Sequence, residues 1–118
     1  MASYLILVPH STEEPNRAAT ALGTARALQQ AGHRVDLWLH GEGVRLGVAH
    51  VAETLREPWP KQAGLTLDEL AQQGGAFHCS RPCFEQRGFT PDVLRPGARL
   101  AEPSDLAGLL ATFTALTL

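Results

Sequence analysis

The sequence predicts an α/β fold, a sandwich of three layers in which helices cover both faces of a mostly parallel sheet of four to five strands. Strand-like and helix-like segments alternate along the chain, and neither a repeat nor a linker interrupts them. The first strand-like segment is apolar throughout, which is typical of a strand buried on both faces of a parallel sheet. Right-handed crossovers between parallel strands would then place helices on the two faces.

The first third of the chain predicts a strand, a helix and a second strand. Ser3–Pro9 is the apolar strand. Ser11–Glu14 has the spacing of a capping box and Pro15 follows it, so a helix of about 15 residues is expected to end at Gly32. Arg34–Leu39 alternates in polarity and predicts the second strand.

The middle of the chain predicts a short helix, a longer helix and a third strand. The short helix covers residues 44–51, and the two prolines of Glu57–Pro60 would break it. Thr66–Glu69 has the spacing of a second capping box, and the helix that it begins is expected to end at Gly74. Ala76–Cys79 is the third predicted strand.

The last third predicts three helical segments and a fourth strand. The helical pattern of Phe84–Arg87 is followed by a short helix that starts at Thr90–Asp92, and Ala98–Ala101 is the fourth strand. Ser104 is expected to cap a final helix. The apolar positions of that helix are Leu106, Leu109, Leu110, Phe113 and Leu116.

Composition favours one domain, residues 1–118, and excludes several classes of partner. Hydrophobic residues make up 44% of the chain and charged residues 19%, a balance that can form a core. The net charge is −2 without a basic stripe, so neither nucleic acid nor an anionic membrane surface is an expected partner. The longest apolar run, from Tyr4 to Pro9, is far shorter than the ~20 residues of a membrane-spanning helix. Met1–Ser3 lacks the basic region of a signal peptide, so the expected location is the cytoplasm.

Polar side chains with chemical potential follow the predicted strands. The first strand leads into His10, the second into His40, and the third ends at His78 and Cys79, with Cys83 shortly after. In an open parallel sheet, ligands bind beyond the carboxyl ends of the strands. The sequence therefore predicts a functional site at this edge.

The two cysteines allow more than one role. Cys79 is either a buried core residue or a reactive thiol, since both occur at strand ends. Cys83 lies near the start of a helix, where unpaired N–H groups stabilise a thiolate, and Arg81 and Arg87 add positive charge nearby. Either thiolate could be a nucleophile or a sulfur carrier. A reversible disulfide between the two cysteines also remains open.

A metal or cofactor has weaker support in the sequence. His10, His40 and His78 with a cysteine could offer nitrogen and sulfur to zinc or copper, but the spacing of a zinc motif is missing. Gly41–Gly47 resembles a dinucleotide fingerprint with one residue too many, and it carries Glu42 where a phosphate would approach. Its glycines are interpreted as turn residues, and no cofactor is predicted.

Three motifs together resemble those of the DsrE/DsrF-like family, which includes sulfur-relay subunits of the Tus type and YchN-like proteins. The resemblance covers nearly the whole chain. The motifs are the strand Leu5–Val8 before the helix start Pro15–Ala18, then Gly32–Leu39 before Gly41–Val44, and last Cys79–Gly88. It implies a flavodoxin-like α/β fold, assembly as a homo-oligomer (trimer or hexamer) or a mixed complex, and transport of sulfur as a cysteine persulfide.

The resemblance thus implies a sulfur-relay protein with sulfur donor and acceptor proteins as partners, a persulfide carrier of the sulfurtransferase type. Cys79 is the first choice for the nucleophile because it ends a strand, and Cys83 is the second. Glu42 stands where relatives usually have Asp. The expected binding residues are His10, His40, Glu42, His78 and Arg81. The alternative is a non-catalytic oligomeric module that binds a metal ion or a small ligand at the same edge.

Overall fold

The computed structural model of the chain describes residues 1–55 and 63–118. The predicted break at Glu57–Pro60 lies outside the described residues. The strands are β1 (Ser3–Val8), β2 (Arg34–Leu39), β3 (Phe77–Ser80), β4 (Ala98–Ala101) and β5 (Thr114–Thr117). The α-helices are α1 (Pro15–Gln30), α2 (Ala63–Gln72), α3 (Arg81–Gln86) and α4 (Pro103–Leu110). Three 3₁₀ helices connect them, η1 (Gly41–Gly47), η2 (Ala52–Thr54) and η3 (Pro91–Val93).

The five strands form one sheet in the order β4-β3-β2-β1-β5, and every pairing is parallel. The predicted α/β class with a parallel sheet is confirmed. Val8 is in register with Leu39, and Leu39 is in register with Cys79, so β1, β2 and β3 finish at one level. This common carboxyl edge is where the sequence predicts the site.

The strand order determines which face each helix covers. From β1 to β4 the chain steps in one direction across the sheet, so right-handed crossovers place α1, α2 and α3 on the same face. The step from β4 back to β5 runs the opposite way and places α4 on the other face. The two faces of the sheet are consequently covered to different extents.

The larger core lies under α1 and α2. There Ile6 and Leu37 of the sheet pack with Leu22 and Leu67 of the helices, and all four are fully or almost fully buried. The smaller core lies under α4. It is built on Leu5, Trp38 and Ala101 of the sheet, with Leu106, Leu109 and Phe113 partly buried against them.

The C-terminal segment differs from its prediction. The final helix ends at Leu110, and the residues from Thr114 to Thr117 form β5, which pairs with β1 along Tyr4 to Leu7. Phe113 and Leu116 are therefore not helical. The helical spacing of the leucines predicts a helix where the structure has a short edge strand. The pairing of this strand with β1 is tertiary, so it leaves no local signal in the sequence.

The helix starts also differ from the predicted caps. Glu14, without a side-chain cap bond, is the N-cap of α1, and Thr66 lies inside α2. In α4 the N-cap is Glu102 rather than Ser104, and Glu102 and Asp105 form a reciprocal capping box. A carboxylate can accept a hydrogen bond from a backbone N–H just as a hydroxyl can, which explains why Glu102 caps α4 in place of Ser104. No helix among residues 1–55 and 63–118 is long and apolar enough to cross a membrane.

A buried hydrogen-bond network lies on the α4 face of the sheet. Asp36 of β2 and His78 of β3 are almost completely buried, and the His78 Nε2 is 2.9 Å from the Asp36 carboxylate. The Arg99 Nε donates to the His78 Nδ1 at 3.1 Å, so the His78 proton is on Nε2 and is donated to Asp36. The backbone N–H of Ala76 also donates to Asp36. These bonds fasten β2, β3 and β4 to one another.

Asp36→Asn should lower the free energy of unfolding by about 1–3 kcal/mol, since the amide cannot accept every bond that the carboxylate accepts. Burial raises the pKa of Asp36, but the bonds from His78 and Ala76 and the charge of Arg34 outweigh it and keep that pKa below the ordinary 3.8. Its contribution is therefore complete above pH 3.8 and is lost as the pH falls through the lower folded pKa.

Urea unfolding of the wild type and of Asp36→Asn, from neutral pH to below pH 3.8, measures the loss of stability. The difference between their free energies of unfolding should become smaller in acid. Asp92→Asn is the control, because Asp92 is an exposed carboxylate with a hydrogen bond to Thr90. Equal stability of Asp36→Asn and Asp92→Asn at neutral pH would contradict the prediction.

Candidate functional site

The site is built around η1, which crosses the carboxyl edge of the sheet. Gly43 lies so close to β1 that a Cβ atom there would overlap the carbonyl group of Val8. A Cβ atom at Gly47 would overlap the sulfur of Cys79. Close packing therefore excludes a side chain at Gly43 and Gly47, whereas Gly41 has a positive φ of 54°, which agrees with its predicted role as a turn residue.

Cys83 lies in the first turn of α3 and is partly exposed. Burial alone would raise the pKa of its thiol. Hydrogen bonds from the Ser80 side chain and from the Gly41 backbone N–H, together with the positive charge of Arg87, outweigh burial and lower the pKa below its ordinary value. Cys83 therefore combines solvent access with a stabilised thiolate, as reactive cysteines do.

A carboxylate joins η1 to α3 beside Cys83. Glu42 accepts from the Arg45 Nε at 2.7 Å and from the Arg87 Nε at 2.8 Å. Arg87 also donates from Nη1 to the backbone carbonyl of Cys83 at 2.9 Å. We call Glu42, Arg45 and Arg87 the Glu42 bridge. The guanidinium groups hold the pKa of Glu42 below its usual range, so its charge is permanent near neutral pH.

Cys79, the first choice for the nucleophile, lies in the larger core. Its exposure is 0%, and burial raises the pKa of its thiol to about 12. Only about one molecule in 10⁵ would then carry the thiolate near neutral pH. The expectation of an ionised and accessible Cys79 does not agree with this position. Cys83 therefore replaces Cys79 as the first candidate for the nucleophile.

Two histidines at the edge are held differently from each other. The Nδ1 of His10 is 2.8 Å from Glu13, and the ring is partly exposed. The Nε2 of His40 is buried, and no group in the described part of the chain forms a hydrogen bond with it. Burial lowers the pKa of His40, and the nearby His10 lowers it further. His40 directly precedes Gly41, so this pair adjoins the loop that contacts Cys83.

Two expected binding residues lie elsewhere. His78 points to the α4 face and is bound to Asp36, because successive side chains of a strand alternate between the two faces. Arg81 lies on α3 but is paired with Glu102 and Glu85, and the positive charge at Cys83 comes from Arg87. The placement of His78 and Arg81 in the site is corrected accordingly.

The metal alternative has no support in the part of the chain that the structure describes. No group of three or more His, Cys, Asp and Glu side chains among residues 1–55 and 63–118 could hold a metal ion. Both cysteines are free thiols. A small ligand retains one argument, since the buried hydroxyl of Ser11 and the Nε2 of His40 have no hydrogen-bond partner among residues 1–55 and 63–118.

The model of the DsrE/DsrF-like family matches residues 2–117. The chain belongs to this family. The family is associated with sulfur relay in general. A search among curated proteins finds no match.

Similar solved structures show the DsrE-like fold. The YchN protein from E. coli superposes with a TM-score of 0.81 at 20% identity, with 100% of each chain covered. MTH1491 from Methanobacterium thermoautotrophicum, described as of unknown function, gives 0.80 at 13% identity, again over 100% of each chain. BT1422 from Bacteroides thetaiotaomicron, also of unknown function, gives 0.64 at 16% identity, covering 98% of this chain and 94% of the other. At these identities the likeness concerns the fold alone.

Sequence reasoning missed two groups that act on Cys83 in this DsrE-like chain. Ser80 is the N-cap of α3, three residues before Cys83, and this capping spacing was a usable signal. The backbone N–H of Gly41 reaches Cys83 from a different element. The sequence carries no signal for that contact, because it depends on how η1 packs against α3.

Alkylation of the folded protein should distinguish the two thiols. Near neutral pH, iodoacetamide is expected to modify Cys83 and to leave Cys79 unmodified, because only the thiolate reacts and Cys79 is both buried and protonated. Intact mass and peptide mapping measure the two rates. Unfolding in urea should expose Cys79 and remove the difference. Comparable rates in the folded chain would contradict the assignment.

Proposed function

We propose that this protein is a sulfur-relay carrier that holds sulfane sulfur as a persulfide on Cys83. The observation that carries the proposal is a partly exposed cysteine of lowered pKa at the carboxyl edge of a DsrE-family sheet. Its partners would be a donor protein that presents a persulfide and an acceptor protein with a reactive thiol. A reducing cytoplasm, which keeps both cysteines free, suits this chemistry.

Loading would proceed by attack of the Cys83 thiolate on the outer sulfur of the donor persulfide. The bond between the two donor sulfurs breaks, a bond from Cys83 to the outer sulfur forms, and the donor leaves as a thiolate. The proton stays on the outer sulfur while that sulfur is transferred, so Cys83 ends as a persulfide. No external oxidant or reductant is required. The Ser80 and Gly41 donors and the Arg87 charge favour the anionic form that attacks.

Release would occur by the same exchange, with an acceptor thiolate attacking the outer sulfur of the Cys83 persulfide. The Cys83 thiolate is then the leaving group, and a lowered pKa makes it a better one. Release by disulfide formation with Cys79 has less support, because Cys79 is buried with a pKa of about 12. We therefore assign both half-reactions to Cys83.

We also propose that the chain forms a homo-oligomer through its C-terminal surface, the residues of α4 and β5 from Pro103 to Leu118. None of these residues is buried, and Asp105 is the last charged residue of the chain. β5 is an edge strand with one open side. A surface whose one charged side chain is Asp105, with an open strand edge, suits a second copy of itself, because it offers little charge complementarity to a different protein.

Sulfur loading is tested by incubating the protein with polysulfide or with a persulfide-loaded donor protein, followed by intact mass measurement. We expect one added sulfur atom in the wild type and in Cys79→Ala, and none in Cys83→Ser. A reductant should remove the added sulfur. Cys79→Ala is the matched control because it deletes the other thiol. Uptake by Cys83→Ser, or no uptake by folded wild type, would refute Cys83 as the carrier.

The proposed interface is tested by charge insertion. Leu110→Lys should convert the oligomer to smaller species, since a charge would have to be buried at the contact. Leu65→Lys on α2 is the matched control, because Leu65 is exposed to 53% and Leu110 to 47%. Light scattering after size-exclusion chromatography measures both variants. A monomeric wild type at micromolar concentration, or an unchanged Leu110→Lys oligomer, would speak against this surface.

A further inference from the structure

Three contacts join η1 to α3 and to the residues just after it. The Gly41 N–H donates to the Cys83 sulfur, and Glu42 accepts from Arg87. Arg45 stacks over the ring of Phe89, with 5.5 Å from its guanidinium carbon to the ring centroid. Of the three contacts, only that of the Gly41 N–H acts directly on the sulfur. Glu42, the centre of the Glu42 bridge, is the next residue in the chain after Gly41.

The Glu42 bridge fixes the position of Arg87 and also balances its charge. Each oxygen of Glu42 binds a different arginine, one from η1 and one at the C-cap of α3. Arg87 is exposed to only 20%, and its Nη1 is fixed on the Cys83 carbonyl. A shift of Arg87 would therefore move both the positive charge and the end of the segment that carries Cys83.

We propose that Glu42 is a positioning residue for Cys83. By bridging Arg45 and Arg87 it holds η1 against α3, and so it keeps the Gly41 N–H on the Cys83 sulfur and the Arg87 guanidinium beside it. This inference rests on the proposed function in taking Cys83 as the working thiol, but the activation of that thiol is measurable without any sulfur transfer.

Positioning and simple charge effects predict opposite results for Glu42. A carboxylate near a thiolate repels it, so removal of the Glu42 charge would by Coulomb interaction alone increase the thiolate fraction and the reactivity of Cys83. If Glu42 positions the bridge, its removal releases Arg87 and the Gly41 N–H, and the reactivity falls.

The experiment measures the pH dependence of Cys83 alkylation by iodoacetamide in the full chain, with intact mass as the readout. Glu42→Gln preserves the size of the side chain but loses one acceptor. We expect alkylation near neutral pH to slow by about three- to tenfold, the net effect of losing one typical hydrogen bond. The pH midpoint should move upward. Glu85→Gln is the matched control, since Glu85 is an exposed carboxylate of α3 paired with Arg81, and its rate should not fall.

Arg87→Gln and the double variant complete the test. Arg87→Gln should also slow alkylation, and the double variant should be no slower than the slower single variant, because the two residues act as one unit. Thermal unfolding verifies that each variant is folded; should Glu42→Gln not fold, Glu42→Asp, which keeps the charge but is shorter, replaces it with the same expectation. Unchanged or faster alkylation of the Glu42 variant, equal slowing in Glu85→Gln, or additive effects would each overturn the proposal.

The outcomes separate this inference from the relay function. Slower alkylation of Glu42→Gln in a protein whose wild type takes up no sulfur would refute the relay and leave the positioning role standing. Sulfur uptake by the wild type with unchanged alkylation of Glu42→Gln would refute the positioning role and leave the relay standing.

Discussion

The close approach of η1 to the carboxyl edge of the sheet is the constraint on which the candidate site depends. Gly43 lets η1 lie on the end of β1, and Gly47 lets it lie on Cys79 at the end of β3. With a side chain at either position η1 would have to move away from the edge. Gly41 and Glu42 belong to the same 3₁₀ helix, so their contacts to α3 follow from this packing. The lowered pKa of Cys83 thus depends on the fit of the backbone as well as on charge.

Side chains alternate between the two faces of the sheet along β3, so His78 and Cys79 lie on opposite faces. His78 points to the α4 face, where its bond to Asp36 fastens neighbouring strands under a thin covering layer. Cys79 points to the opposite face and fills the larger core. Neither residue is available at the edge. Cys83 is the partly exposed thiol of the two, because it follows the strand and lies in the first turn of α3, beyond the alternation that buries its neighbours.

The sequence predicted most of the fold because its main signals are local. The apolar run of β1, the alternation of β2 and the glycines after α1 and α2 each act within a few residues, and the structure confirms them. The strand β5 escaped prediction because its pairing with β1 is tertiary. For the site, the residues after each strand predicted the carboxyl edge of the sheet, and the function of that edge stays a prediction. The sequence ranked Cys79 above Cys83, because the burial of Cys79 and the contact of Gly41 with Cys83 arise only when distant elements pack together.

A carrier thiol must both accept and give up its sulfur, and this requirement limits how far its pKa can fall. A lower pKa enlarges the thiolate fraction and improves the leaving group, but it also weakens the nucleophile, so the best exchange occurs when the pKa is near the ambient pH. At Cys83 burial opposes ionisation, while Ser80, Gly41 and Arg87 favour it. Contributions of opposite sign limit how far the pKa of Cys83 falls. Glu42 fits the same requirement, since its negative charge offsets part of the charge of Arg87 while its two bonds keep that arginine in place.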